Sequence, residues 1–218
     1  MAVLGVLARL TYRLSRHRLL GVPLDVISAA LAAGSFVYGV ASPVFAGRRV
    51  LAPVALVGLL LWAALVLLLR RRRFVLFMID PEFRPPPRRK LKPLRPVPLR
   101  ASGAFAVNQR SRYFVEAPGF IEATEFGERV LMAEVRSVSI LGLLRSPEDE
   151  WGWWYMFFRP EDVRSLQAGR LYFGWRPRPA LRLVDAHGTV LSYLSFSDTS
   201  TRDWVAGDLL TSGACTSQ

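Results

Sequence analysis

The chain has 218 residues, 51% of them hydrophobic, with one cysteine, two histidines and a formal net charge of +12. A single cysteine excludes an intramolecular disulfide and a cysteine-rich metal site. The charge is divided unevenly: residues 1–103 carry 17 Lys and Arg against 3 Asp and Glu, whereas residues 104–218 carry 12 against 14. Whatever requires positive charge therefore binds the first part, and the second is an ordinary, slightly acidic domain. Only Lys90 and Lys92 are lysines, a bias that suits a GC-rich genome or a thermophilic habit and is read as a hint of bacterial origin.

In residues 2–20, Val3, Leu4, Val6, Leu7, Leu10 and Leu14 recur at near-helical spacing, with Arg9, Arg13 and Arg16 between them. This is the pattern of a helix lying in a membrane interface; a frayed extension of the following span is the alternative. Residues 22–41 contain one charge, Asp25, and residues 50–69 contain none. About twenty residues at 1.5 Å each cross a hydrocarbon core of about 30 Å, so both segments are expected to span a membrane. For the first, a soluble core helix is the competing reading. Ala30 and Gly34, then Ser35 and Gly39, recur at four-residue spacing and would admit a close helical neighbour.

Basic residues favour the cytoplasmic side of a span. Arg9, Arg13, Arg16 and Arg18 precede the first span and Arg70, Arg71, Arg72 and Arg73 follow the second, against Arg48 and Arg49 in the hairpin loop. Both termini and the domain after the hairpin are thus expected in the cytoplasm, on the cell membrane. No cleaved signal peptide is expected, since a short apolar region ahead of an A-x-A-like site is missing.

The stretch "FVLFMI", 74–79, is apolar on every side and is open to three readings: helix, interfacial segment or strand. Residues 80–103 hold seven prolines and seven Lys or Arg, which removes backbone donors and apolar periodicity, so a linker is expected there. Each Lys or Arg beside an anionic leaflet contributes about 1 kcal/mol. Arg70, Arg71, Arg72, Arg73, Arg84, Arg88, Arg89, Lys90, Lys92 and Arg95 are therefore the expected contacts of anionic lipid headgroups. Nucleic acid would use the same charge, but the membrane is nearer, and none is expected as a partner.

From residue 104 the periodicity becomes two. Strands are predicted at 112–117, 119–126, 129–140, 151–158 and 170–175, with a hairpin of 180–185 and 189–196 around "AHG" and turns at Pro118-Gly119 and Gly127-Glu128. Residues 159–169 read as a loop with a helical turn. In 197–210, an Asp/Thr/Ser cap precedes a short helix that presents Trp204, Val205, Leu209 and Leu210 on one face, with Trp204 expected to plug the domain. The organisation is thus 1–21 basic amphipathic segment, 22–73 transmembrane hairpin, 74–103 linker, 104–211 β domain and 212–218 tail.

The segment "WGWWYMFF", 151–158, places Trp151, Trp153, Tyr155 and Phe157 on one side of its strand and Trp154, Met156 and Phe158 on the other. One row enters the core, and the other leaves an apolar patch larger than water tolerates. Which row is outside stays open, so Trp151, Trp153, Trp154, Met156 and Phe158 are the candidate contacts for a protein partner or the membrane.

Catalysis needs a positioned base near a nucleophile or an acid partner. His17 sits in a basic flank and His187 in a hairpin tip; the acidic run 147–150 reads as a solvated loop, and Asp25 as a carboxylate stabilising a helix N-terminus. No phosphate loop, metal-ligand spacing or paired-carboxylate site stands out. An enzyme is not expected, and neither cofactor nor metal is assigned.

Strands followed by one C-terminal helix with an inward tryptophan form the element order of pleckstrin-homology-like domains. "GFIEATEFGERVLMAEVRSVSI" resembles the strand, turn and apolar strand of bacterial membrane-anchored PH-like proteins, and "ALRLVDAHGTVLSYLSFSDTSTRDWVAGDLL" is similar to their final hairpin and helix. Those families often carry a transmembrane hairpin ahead of the domain. The resemblance covers about half the chain. It implies two transmembrane helices followed by a seven-stranded PH-like split barrel with a C-terminal capping helix, and a role in binding rather than chemistry. Phosphoinositide-binding members of the wider superfamily use a basic cluster in the first hairpin; here Arg110 and Arg112 stand beside Glu116, Glu122 and Glu125, so headgroup recognition at that site is not implied. The expected function is a membrane-anchored adaptor that docks a protein partner, with an accessory subunit of a larger membrane complex second and an enzyme third.

Overall fold

The computed structural model describes residues 1–41, 51–84, 86–87, 90–137, 139–140 and 144–210. The hairpin loop with Arg48 and Arg49, Arg88, Arg89 and the tail with Cys215 lie outside the described residues. The chain divides into two compact units: Met1–Gly5, Val75–Arg136 and Asp149–Gln218 form one, Val6–Phe74 and Ser137–Glu148 the other.

In the helical unit, α1 (Ala2–Ser15, its first residues counted with the other unit) leads into a two-residue-strand ribbon, β1 (Arg18–Leu19) and β2 (Val22–Pro23). Its turn residues Leu20 and Gly21 both have positive φ, 51° and 82°, the requirement of a type I′ turn. Two long helices follow, α2 (Leu24–Ala41) and α3 (Leu51–Arg71). They are long and apolar enough to cross a membrane, with mean hydropathies of 1.6 over Leu24–Ala41 and 2.3 over Pro53–Arg71, and little of either is buried by the rest of the chain. A soluble core helix would be mostly covered by its own chain, which neither is. Arg70 Nη1 donates to both carboxylate oxygens of Asp25 at 2.7 Å, and Trp62 Nε1 donates to Ser28 Oγ at 3.3 Å. Gly39 allows the close approach that its spacing predicts, since a Cβ there would collide with the Leu56 side chain. Ala30, Gly34 and Ser35 instead line an open groove. The unit also contains the short antiparallel pair β7 (Ser139–Ile140) and β8 (Leu144–Arg145).

The other unit is mainly β, a barrel-like sheet with a C-terminal helix. Its strands are β3 (Leu76–Ile79), β4 (Val97–Val107), β5 (Arg110–Ala123), β6 (Arg129–Val135), β9 (Gly152–Phe158), β10 (Val163–Tyr172), β11 (Arg178–Asp185) and β12 (Val190–Ser195). Among the described residues they form one antiparallel sheet in the order β3-β10-β11-β12-β4-β5-β6-β9, and β9 meets β4 again at Tyr155 and Ala106. The sheet therefore curls back on itself around Phe105, Phe114, Ile121, Leu131, Trp154, Leu181, Leu183 and Leu194. α4 (Thr199–Leu209) closes the core with Val205, Ala206 and Leu209; Asp198 caps it, accepting from the Thr201 N–H at 2.8 Å.

The strand list departs from the expected seven. Residues 76–79 are a strand, and the expected linker contains the first half of β4. Leu91 is buried, its N–H donates to Asp208 Oδ1 at 2.8 Å, and Pro93 bridges to Ala123, so this segment is fastened to the domain rather than a free tether from 74 to 103. Pro118-Gly119 is no turn but the interior of β5, where a Cβ on Gly119 would collide with the Met132 carbonyl of β6. The expected loop 159–169 is a short 3-10 turn, Pro160–Asp162, followed by β10; a register shift between Val163 and Ser165 breaks the alternation that would have revealed it. Trp204 is only partly buried against the core, so the plugging role expected of it belongs to Val205, Ala206 and Leu209.

Candidate docking face

β9 runs beside β6, with Trp153 opposite Glu134, Tyr155 opposite Met132 and Phe157 opposite Val130. β6 in turn places Met132 opposite Phe120 and Val130 opposite Glu122 on β5. Residues directly opposite share a face, so β5, β6 and β9 bring Phe120, Val130, Met132, Trp153, Tyr155 and Phe157 to one side, with Glu122 and Glu134 among them.

The inner row is closed. Trp154 is 1% exposed and packs edge-on against Phe114, ring centres 5.1 Å apart. Its Nε1 donates to the Glu150 carbonyl at 2.8 Å, which satisfies the one polar atom the ring takes inside. Phe158 is buried, and Met156 packs against the same core. Trp154, Phe158 and Met156 are therefore corrected from candidate contacts to core residues: the sheet's closure onto β4 turns their row inward.

The outer row is open. Trp153 is 41% exposed and Phe157 63% exposed. Trp153 lies 5.6 Å from Phe120, and Tyr155 stacks on Phe157 at 6.4 Å with 20° between ring planes. Trp151 is half-buried at the edge of this row. Glu134 is held below the usual carboxylate range by Arg136, which donates to both its oxygens at 2.7 and 2.8 Å. At the tip of the turn between β5 and β6, Phe126 is 93% exposed. Phe120 and Met132 were absent from the expected contacts because a single strand's alternation does not say which neighbours share its face.

Elsewhere the expected sites separate. Asp149 lies 3.6 Å from Arg110 and 3.9 Å from Arg112, and Glu150 lies 4.0 Å from Arg112, so these carboxylates face arginines. Arg70 is committed to Asp25, whereas Arg71, Arg72, Arg84, Lys90, Lys92 and Arg95 are exposed. His17 is buried and its Nδ1–H donates to the Arg13 carbonyl at 2.7 Å. His187 is exposed in a turn closed by Asp185 Oδ1, which accepts from the N–H groups of His187 and Thr189 at 2.8 Å.

Comparison of the chain with protein-family profiles, with characterised proteins and with solved structures gives no match. The functional reading therefore rests on this geometry and on the sequence.

Proposed function

We propose that this protein is a non-catalytic, membrane-anchored adaptor, whose β domain is PH-like and docks a protein partner at the cytoplasmic surface of the cell membrane. The observation that carries the reading is the outer aromatic row: Trp153 and Phe157 stay exposed while Trp154 and Phe158, on the same strand, are buried. Interfaces concentrate aromatic side chains and deplete charge at their centres. The element order of the β unit, ending in α4, supports the PH-like assignment. The arginine flanks of the two apolar helices support cytoplasmic termini, and the exposed Arg71, Arg72, Arg73, Arg84, Lys90, Lys92 and Arg95 suit anionic headgroups.

The test is a photoreactive residue at Phe157 in the full-length protein in its own membrane, with His187 as the control position. A discrete crosslinked protein from 157 and none from 187 is the expected result. Equal, diffuse labelling from both removes the docking face.

An accessory-subunit reading is favoured by one separate observation. A groove of about 550 Å³ between α2 and α3 is lined by Ala30, Leu31, Gly34, Ser35, Tyr38, Ala55, Leu56 and Leu59. Small residues there would let the helix of another membrane protein approach closely.

A further inference from the structure

We infer that the loop between β10 and β11, together with the first residues of α1, forms a membrane-interface anchor that seats the β unit on an anionic bilayer. This rests on the reading that α2 and α3 span a membrane.

Trp175, at the tip of this loop, is 69% exposed. It has no structural duty to explain its presence, as the core is made by other residues. The preceding Gly174 donates its N–H to the carbonyl of Gly5 at 2.8 Å. A Cβ on Gly5 would stand 2.5 Å from the Gly174 carbonyl oxygen, so the two backbones touch. The residues next to this contact in sequence are apolar and open: Trp175 follows Gly174, and Met1, Val3 and Leu4 precede Gly5, 54%, 62% and 40% exposed. Four exposed large apolar residues thus flank one backbone contact.

Two features select lipid as the occupant. The first is covalent. β3 begins at Leu76, five residues after α3 ends at Arg71, a reach of at most about 18 Å. Leu76 pairs with Tyr172, and Trp175 follows three residues later, so the chain leaving the apolar helix enters the β unit on the strand that pairs with the one leading to this loop. The second is charge. Residues 163–184 carry five arginines and no carboxylate, of which Arg178 is paired with Glu116 at 3.4 Å; Arg170 and Arg176, on either side of Trp175, are exposed. Tryptophan flanked by cations is the composition of the headgroup layer, where the indole's apolar body and polar N–H are both accommodated, and each cation near an anionic leaflet adds to the attraction.

The experiment uses the full-length chain with Cys215→Ser, reconstituted in vesicles of phosphatidylcholine and phosphatidylglycerol. Single nitroxide labels are placed at Val3→Cys, Trp175→Cys, His187→Cys and Val57→Cys. Position 57, in the middle of α3, reports the span. Position 187, in the turn at the opposite end of β11, reports water. Labels at 3 and 175 are expected to be more accessible to oxygen than to a water-soluble nickel chelate, as at 57, with the reverse at 187. Replacing phosphatidylglycerol by phosphatidylcholine, or raising salt, is expected to move 3 and 175 toward water while leaving 57 unchanged. If 57 is lipid-like and 175 reads as water, the anchor is overturned while the span stands. If 57 reads as water, the span fails and the anchor with it.

Discussion

Arg129, at the start of β6, and Asp208, near the end of α4, are joined by two hydrogen bonds: Nε to Oδ2 at 2.7 Å and Nη2 to Oδ1 at 2.8 Å. Both side chains are buried, and Oδ1 also accepts the Leu91 N–H at 2.8 Å. One carboxylate therefore fastens the C-terminal helix, the β5–β6 hairpin and the proline-rich segment to one another. Removing one partner strands the other's charge in a low-dielectric interior, at a cost of about 3–5 kcal/mol. Asp208→Ala is expected to unfold the β unit or lower its melting temperature by many degrees in detergent. Arg129→Met combined with Asp208→Leu is expected to recover much of that loss, because no charge is then left unpaired. A double variant no better than Asp208→Ala would mean that the Leu91 contact, not the ion pair, dominates.

The two rows of β9 should respond in opposite ways. Trp154→Ala empties a core position and frees the Glu150 carbonyl, for about 3–5 kcal/mol. Phe157→Ser sits on the open face, and surface changes usually fall within about 0.5 kcal/mol. Urea unfolding of the two variants compares them directly. Equal losses would show that the outer row is also covered.

Asp198 gives the β unit an acid-sensitive element. Its carboxyl is held well below the usual carboxylate range, first by the Ser200 hydroxyl, then by the Thr201 N–H and the hydroxyls of Ser197 and Thr201. A carboxylate depressed in the folded state adds stability above its unfolded value of about 3.9, and loses it as pH falls through that value toward the folded one. Asp198→Asn retains an acceptor but not the charge. The variant's melting temperature is expected to lie below that of the parent at pH 7, and the gap to narrow progressively as pH falls from about 5 toward about 2. A constant difference across this range would detach the effect from ionisation.

In the hairpin, Arg70→Ala leaves the fully buried Asp25 without its bidentate partner. Arg70 is itself 37% exposed, so the loss should fall between the about 1 kcal/mol of a surface pair and the about 3–5 kcal/mol of a buried one. Arg70→Ala should therefore unfold at a lower dodecyl-sulfate fraction, and Asp25→Asn with Arg70→Gln should unfold closer to the parent.

By itself the sequence determined the two apolar helices, the hairpin of β11 and β12, the strands β6 and β9, and α4 with its Asp198 cap. Each is written in local chemistry: apolar run length, period two around a glycine turn, or a capping side chain. Tertiary structure decided what local chemistry leaves ambiguous. Pro98 and Pro118 argued against strands, yet β12 pairs with β4 only at Arg100–Gly103 and β6 pairs with β5 only from Gly119 onward. Each proline thus lies just past the end of a ladder, where a missing N–H costs little. In β9 both rows are equally apolar, so the period of two names the rows without ranking them. The pairing of Tyr155 with Ala106 closes the sheet and sends Trp154 inward and Phe157 outward. Burial is a property of the closed surface, and no single strand carries that information.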